Sequence, residues 1–172
     1  MTKKVTSAVA NKMLKQLADD KSYWQSLETE RTSYTVATGE EAVVPEYDYN
    51  EVAAKIAEID NQTLILKHAI NVYNTTTVLQ LEDGTSMTID QALVAMSQLN
   101  SRKRRLDSMR KAQDKERVES YARGSKNIVE YRYINFKVED AARDFQAISD
   151  RIIDLQIKLD KANQTIEFEI DL

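Results

Sequence analysis

Along the first part of the chain apolar side chains return every three or four positions. Ala10, Met13, Leu14, Leu17, Trp24 and Leu27 recur in this way with lysines and acids between them, which predicts one helix over roughly residues 6–33. The stretch YTVATGEEAVVPEYDY follows, and Gly39 and Pro45 mark it as an acidic loop. Asp48, with Glu51 three residues on, is spaced as a capping box opening a second helix. In that helix Val52, Ile56, Ile59, Thr63, Leu66, Ile70 and Tyr73 step by four and three, a heptad seam that requires a partner helix. Leu64, Ile65 and Val72 widen the stripe, so the second half of this helix is expected to be buried on more than one side.

The pattern then changes period. In LEDGTSMTIDQAL, residues 81–93, Asp83-Gly84 is a two-residue hairpin signal, because both central residues of the favoured turn need positive φ. The flanks TTTVLQL and SMTI carry the β-branched and apolar residues of short strands, which places a β-hairpin near residues 76–89. Thr88 and Gln91 form a second capping box, and Ile89, Leu93, Met96, Leu99, Leu106 and Met109 continue as a third helix, expected to end at Gly124. NIVEYRYINF alternates and reads as a strand near residues 128–136, expected to join the hairpin. A fourth helix, about 138–162, repeats Phe145, Ile148, Ile152, Leu155, Leu159 and Ala162 in a three-four pattern. The tail TIEFEIDL sets Ile166, Phe168, Ile170 and Leu172 against three acids and reads as a docked strand, either within the chain or on another subunit.

These elements predict a mainly α protein of long antiparallel helices, closed as a four-helix bundle or arranged as paired helical hairpins, with a small antiparallel β-hairpin or sheet at one end. The expected organisation is a single helical domain over residues 1–172. Composition agrees: three Gly and one Pro in 172 residues leave few breakers, and 30% of the residues are charged. Helices of about 25 residues would run near 38 Å at about 1.5 Å per residue. Such narrow assemblies leave side stripes uncovered, so self-association into a homo-oligomer is expected. The residues expected to carry assembly are Ile56, Ile59, Leu66, Phe145, Ile152 and Leu155; those expected to fix the hairpin and cap are Asp83, Gly84, Thr88 and Gln91.

Charge alters this picture in one place. Residues 28–60 hold two basic against nine acidic residues, and residues 101–126 ten against four. In SRKRRLDSMRK the cluster Arg102, Lys103, Arg104, Arg105, Arg110 and Lys111 is the candidate polyanion contact. Four consecutive basic residues point around the whole helix, however, and no aromatic residues for base stacking are interleaved with them. A solvated segment pairing with the acidic region is the simpler reading, and a nucleic-acid partner is not expected.

Chemistry is harder to find. The absence of Cys excludes disulfides and thiolate nucleophiles. The single histidine, His68, lies on the polar side of the second helix, and no Glu-x-x-His pair accompanies it. There is no calcium-type ligand loop, glycine-rich phosphate loop or serine elbow. The sequence therefore predicts no catalytic, cofactor-binding or metal-binding residues, no cofactor and no enzymatic activity. LILKHAINVY is broken by Lys67, His68 and Asn71 and is not a membrane helix; no signal-peptide stretch is present, and a soluble cytoplasmic protein is expected.

The runs INVYNTTTVLQLEDGTSMTIDQALVA and LQIKLDKANQTIEFEIDL resemble a family of small bacterial helical proteins without an assigned function, often labelled septicolysin. The residues that carry the likeness are Ile70, Asn71, Asn74, Leu81, Glu82, Asp83, Gly84, Thr88, Leu159, Asp160, Asn163, Asp171 and Leu172. Where the family carries Trp after the late Asn, this chain has Gln164. The resemblance implies a helical protein with a hairpin insertion, and its label implies membrane or pore-forming activity. The candidate strands are nevertheless shorter than the about 9–11 residues a spanning strand needs, so a membrane is not an expected partner. The sequence thus points to a non-enzymatic, self-associating scaffold or interaction protein, with a further protein partner left open. Membrane activity and polyanion binding stand as the alternatives.

Overall fold

The computed structural model describes residues 2–118 and 129–171. Among these residues the chain is mainly helical, with four helices and three small two-stranded sheets. It divides into two compact units, one formed by Met1–Val78 with Asp160–Leu172, the other by Leu79–Leu159.

The first unit begins with a strand that the sequence pattern does not announce. β1 (Thr2–Thr6) runs directly into α1 (Ser7–Arg31), and Thr6 caps the helix by accepting from the Val9 amide at 3.4 Å. α2 (Tyr49–Thr76) is capped by Asp48, whose Oδ1 accepts from Asn50 N at 2.8 Å and Glu51 N at 3.2 Å. The helices run antiparallel, since Lys21 reaches Asp60 at 2.6 Å while Arg31 donates to the Glu46 carbonyl. On α2 the buried residues are Val52, Ile59, Leu66 and Tyr73, seven positions apart each time, and Ile56, Thr63 and Ile70 between them are half-buried. The expected seam is therefore in place, and α1 meets it with small or slender residues such as Ala10 where the helices pack closely.

The tail docks within the chain. β6 (Glu167–Asp171) pairs antiparallel with β1 in the register Thr2↔Asp171 to Thr6↔Glu167. Val5 and Ile170 turn inward to join Ala10 and Leu66 in one apolar cluster, with Leu14, Leu17 and Phe168 against it. Phe168 also stacks on Tyr73 with ring centres 4.8 Å apart, and the Tyr73 hydroxyl donates to the Ala162 carbonyl at 3.0 Å.

One expectation for α2 fails. Leu64 is 67% exposed and Val72 46% exposed, so the helix is not buried on a second side. In this unit the seam packs against α1, β6 and the end of α4 at Ala162, and all of these lie on the side of Leu66 and Tyr73.

In the second unit β2 (Val78–Gln80) and β3 (Ser86–Thr88) form the expected hairpin, and Thr88 opens α3 (Ile89–Met109). α3 ends well before Gly124, which lies outside the described residues. Arg110 takes the C-terminal cap position, and the chain re-enters a strand at β4 (Lys115–Val118). β4 pairs with β5 (Glu130–Tyr133), so this strand does not join the β2–β3 hairpin as expected. Side chains explain that choice. Lys115 sits 3.9 Å from the centre of the Tyr131 ring, and Glu116 lies opposite Arg132 with a 4.0 Å ion pair, contacts that a helical 115–118 would forgo. α4 (Val138–Thr165) buries Ile152, Leu155 and Leu159 along its expected stripe, with Phe145 and Ile148 half-buried.

Candidate functional site

Three groups of residues carry the candidate roles; the hairpin corner and the basic run lie in the second unit, and the assembly residues are divided between the two. The hairpin corner is the most constrained. Gly84 has φ +80° and its amide donates to Leu81 O at 3.1 Å, while Leu81 N donates to Thr85 O at 2.9 Å. This is a turn closed by a bulge at glycine, because among the described residues no non-glycine residue has positive φ and Asp83 keeps ordinary backbone angles. The two-residue turn with positive φ at both positions is thus corrected. The cause is the Asp83 side chain, whose Oδ1 accepts from both Thr85 N at 3.0 Å and Thr85 Oγ1 at 2.6 Å, fixing Asp83 from within the loop.

The loop is also held from outside. Arg151 of α4 donates to Asp83 Oδ2 at 2.6 Å and to Thr85 Oγ1 at 3.4 Å, and the Glu82 amide reaches Asp154 at 3.5 Å. The hydrogen bonds from Thr85, and after them the Arg151 guanidinium, hold the Asp83 carboxyl below the usual aspartate range. On the other side of the loop the Thr88–Gln91 box is complete. Gln91 N donates to Thr88 Oγ1 at 3.2 Å and Thr88 N to Gln91 Oε1 at 2.9 Å. Nothing local to residues 81–93 pointed to Arg151 or Asp154. The corner is rigid, and its polar groups are occupied by one another.

The basic run divides in two. Arg110 and Lys111 both pair with Asp107, at 2.7 and 2.6 Å, and these contacts, Lys111 first, lower the Asp107 carboxyl. Arg110 also lies over the Phe145 ring at 4.1 Å, and Lys103 at 5.4 Å. Phe145 therefore serves as a platform for cations as well as a seam residue. Arg102, Arg104 and Arg105 are exposed and have no ion pair among the described residues. A continuous phosphate-binding stripe of six residues is not formed.

Of the residues expected to carry assembly, Ile59, Leu66, Ile152 and Leu155 are buried in the chain's own packing, and Ile56 and Phe145 are half-buried. Exposed apolar surface appears instead at Leu64 and Val72, with the exposed His68 between them at four-residue steps on one face of α2. Val72 and His68 also border a groove of about 440 Å³ whose far wall is Ile166 and Phe168. The widened stripe in the sequence marks this face, and the structure leaves it exposed where the pattern predicts burial.

A fourth feature was visible only as neighbouring aromatics. Tyr23 and Trp24 meet edge to face at 5.5 Å, and with Leu27, Tyr47, Glu51 and Val52 they line a cleft of about 320 Å³ where α1 ends and α2 begins. The Tyr47 hydroxyl is buried and has no hydrogen-bond partner. Burial raises its pKa first, followed by the negative charge of Glu28 and the neighbouring Tyr49 and Asp48.

Among the described residues no cluster of three or more His, Asp or Glu is placed to hold a metal ion, and no helix is long and apolar enough to cross a membrane. No family model and no curated protein matches the chain. Among solved structures it is similar to the crystal structure of a functionally unknown conserved protein from Corynebacterium diphtheriae, with 16% sequence identity and a TM-score of 0.59. The match covers 96% of this chain and 99% of that one. At such low identity the likeness establishes the fold alone.

Proposed function

We propose that the chain is a non-enzymatic, cytoplasmic scaffold or interaction protein that acts as a homo-oligomer, and that a second copy covers the outer face of α2. The observation that carries this reading is the Leu64–His68–Val72 stripe, exposed on a helix whose opposite face is packed within the chain. Water in contact with such a stripe gains by its removal at about 25 cal/mol per Å² of apolar surface.

The stripe favours a second copy because its two ends differ. Leu64 projects as a ridge, and about 12 Å along the helix, at about 1.5 Å per residue, Val72 opens onto the groove walled by Ile166 and Phe168. A two-fold axis through His68 sets the ridge of each copy into the groove of the other, as an isologous interface requires. The charged residues Lys67 and Glu167 would lie at the rim.

Size-exclusion chromatography with light scattering tests this. The intact chain is expected to elute as a dimer or larger at micromolar concentration, and Leu64→Glu as a monomer with unchanged helical content. A clean monomer for the intact chain at that concentration overturns the reading. So does an unaltered oligomer for Leu64→Glu.

A further inference from the structure

The cleft between the last turns of α1 and the entry to α2 has no part in the interface just described. Its walls are chemically uneven. Tyr23, Trp24 and Tyr47 contribute aromatic rings and Leu27 and Val52 apolar floor, while Glu46, Asp48 and Glu51 stand on the same lining with Arg31 as the single cation. The surrounding segment, residues 28–60, is strongly acidic.

Aromatic faces attract cations through the ring quadrupole, and the attraction grows as the cation loses water. Nearby carboxylates add Coulombic attraction without offering hydrogen atoms of their own. An anion or a neutral apolar molecule would find the carboxylates repulsive or unused. The Tyr47 hydroxyl offers a further selection: it is buried with no partner, and among the described residues nothing donates to its oxygen. Buried polar groups are ordinarily satisfied, so an orphan hydroxyl beside a cleft marks where a ligand's polar atom belongs. The neighbouring negative charge that raises its pKa also favours a positive donor at that oxygen.

We propose that this cleft binds an organic cation of the alkylammonium class, with the alkyl chain against Trp24, Leu27 and Val52 and the ammonium donating to Tyr47 Oη. Glu51 supplies the countercharge. Arg31, which donates to the Glu46 carbonyl at 3.2 Å, is the one cation of the lining, and its charge opposes that of a bound cation. Asp48 commits Oδ1 to the α2 amides and adds its negative charge to the same wall.

Trp24 is the chain's only tryptophan, so its emission reports on this wall alone. The full chain is titrated with butylammonium chloride at constant ionic strength, with butanol as the uncharged control and tetramethylammonium as a cation without a donor. The expected result is a saturable emission change with butylammonium, with a dissociation constant on the order of millimolar, and no saturation with butanol. Tyr47→Phe is expected to weaken butylammonium roughly fivefold, the worth of one hydrogen bond, and to leave tetramethylammonium unchanged. Glu51→Gln weakens both cations, and Arg31→Met strengthens both. A linear response to butylammonium, equal responses to butylammonium and butanol, or unaltered affinity in Tyr47→Phe overturns the proposal.

Discussion

Two leucines of α2, only two residues apart, should respond to truncation in opposite ways. Leu66 is completely buried, and Leu64 is 67% exposed. Leu66→Ala removes three carbon groups from a site with no access to water, and at about 0.8 kcal/mol for each the transfer loss alone is about 2.4 kcal/mol. A cavity term adds to that, because the surroundings are backbone-bound. Ala10 of α1 lies on one side and the Val5–Ile170 pair of the terminal sheet on the other. These three cannot reach into the space, whereas Met13 and Leu14 beside the cluster can relax toward it in part, so the total belongs in the middle of the usual range, about 3–4 kcal/mol. Leu64→Ala loses little in the isolated chain, within about 0.5 kcal/mol. Urea unfolding followed by Trp24 emission, at a concentration low enough to keep the chain monomeric, compares the two directly. If Leu66→Ala cost no more than Leu64→Ala, the assignment of the α2 seam to the interior would fail, and with it the separation of an inner from an outer face. Repeating the comparison at high concentration adds a second reading, since Leu64→Ala should then become destabilising if a second copy covers it.

Two further outcomes test the hairpin corner. Gly84→Val should cost about 1–3 kcal/mol from backbone strain alone, because φ is +80° and a Cβ there meets no atom within 4 Å; unchanged stability would remove the bulged-turn assignment. Asp83 has its carboxyl held below the ordinary range in the folded chain, so its stabilisation is complete above the unfolded value of about 3.9 and is lost as pH falls through the folded value. The stability gap between the intact chain and Asp83→Asn should therefore narrow on acidification from neutral pH, and parallel pH profiles in chemical denaturation would refute the Thr85 and Arg151 contacts as its source.

What the sequence disclosed followed from the range of the interactions involved. The α2 seam was legible because its seven-residue repeat is dense and its partner helix carries a matching pattern. The Thr88–Gln91 box was legible because both bonds close within three residues. β1 was not, since TKKVT has two lysines in five residues and becomes a strand only through pairing with residues 167–171. The end of α3 was missed for a similar reason. The stretch LDSMRKAQDKERV is rich in Lys, Arg and Glu and carries good helix propensity, and Lys115 leaves the helix to meet Tyr131 on another strand. The Asp83 conformation turned on side-chain bonds to Thr85 that a turn rule based on backbone angles does not weigh. The cleft at Tyr47 needed the α1–α2 reversal to bring residues 23–31 to residues 46–52; only the Tyr23–Trp24 neighbours were apparent beforehand.

The β1–β6 pairing has a consequence for synthesis. Val5 leaves the ribosome long before Ile170, the side chain that seals it. Until residues 167–171 follow, the α1–α2 hairpin is therefore a half-closed clasp, with Leu66 and Val5 still open to water or to a chaperone. Closure of this unit must await synthesis of residues 167–171, even though its two main helices are written well before them.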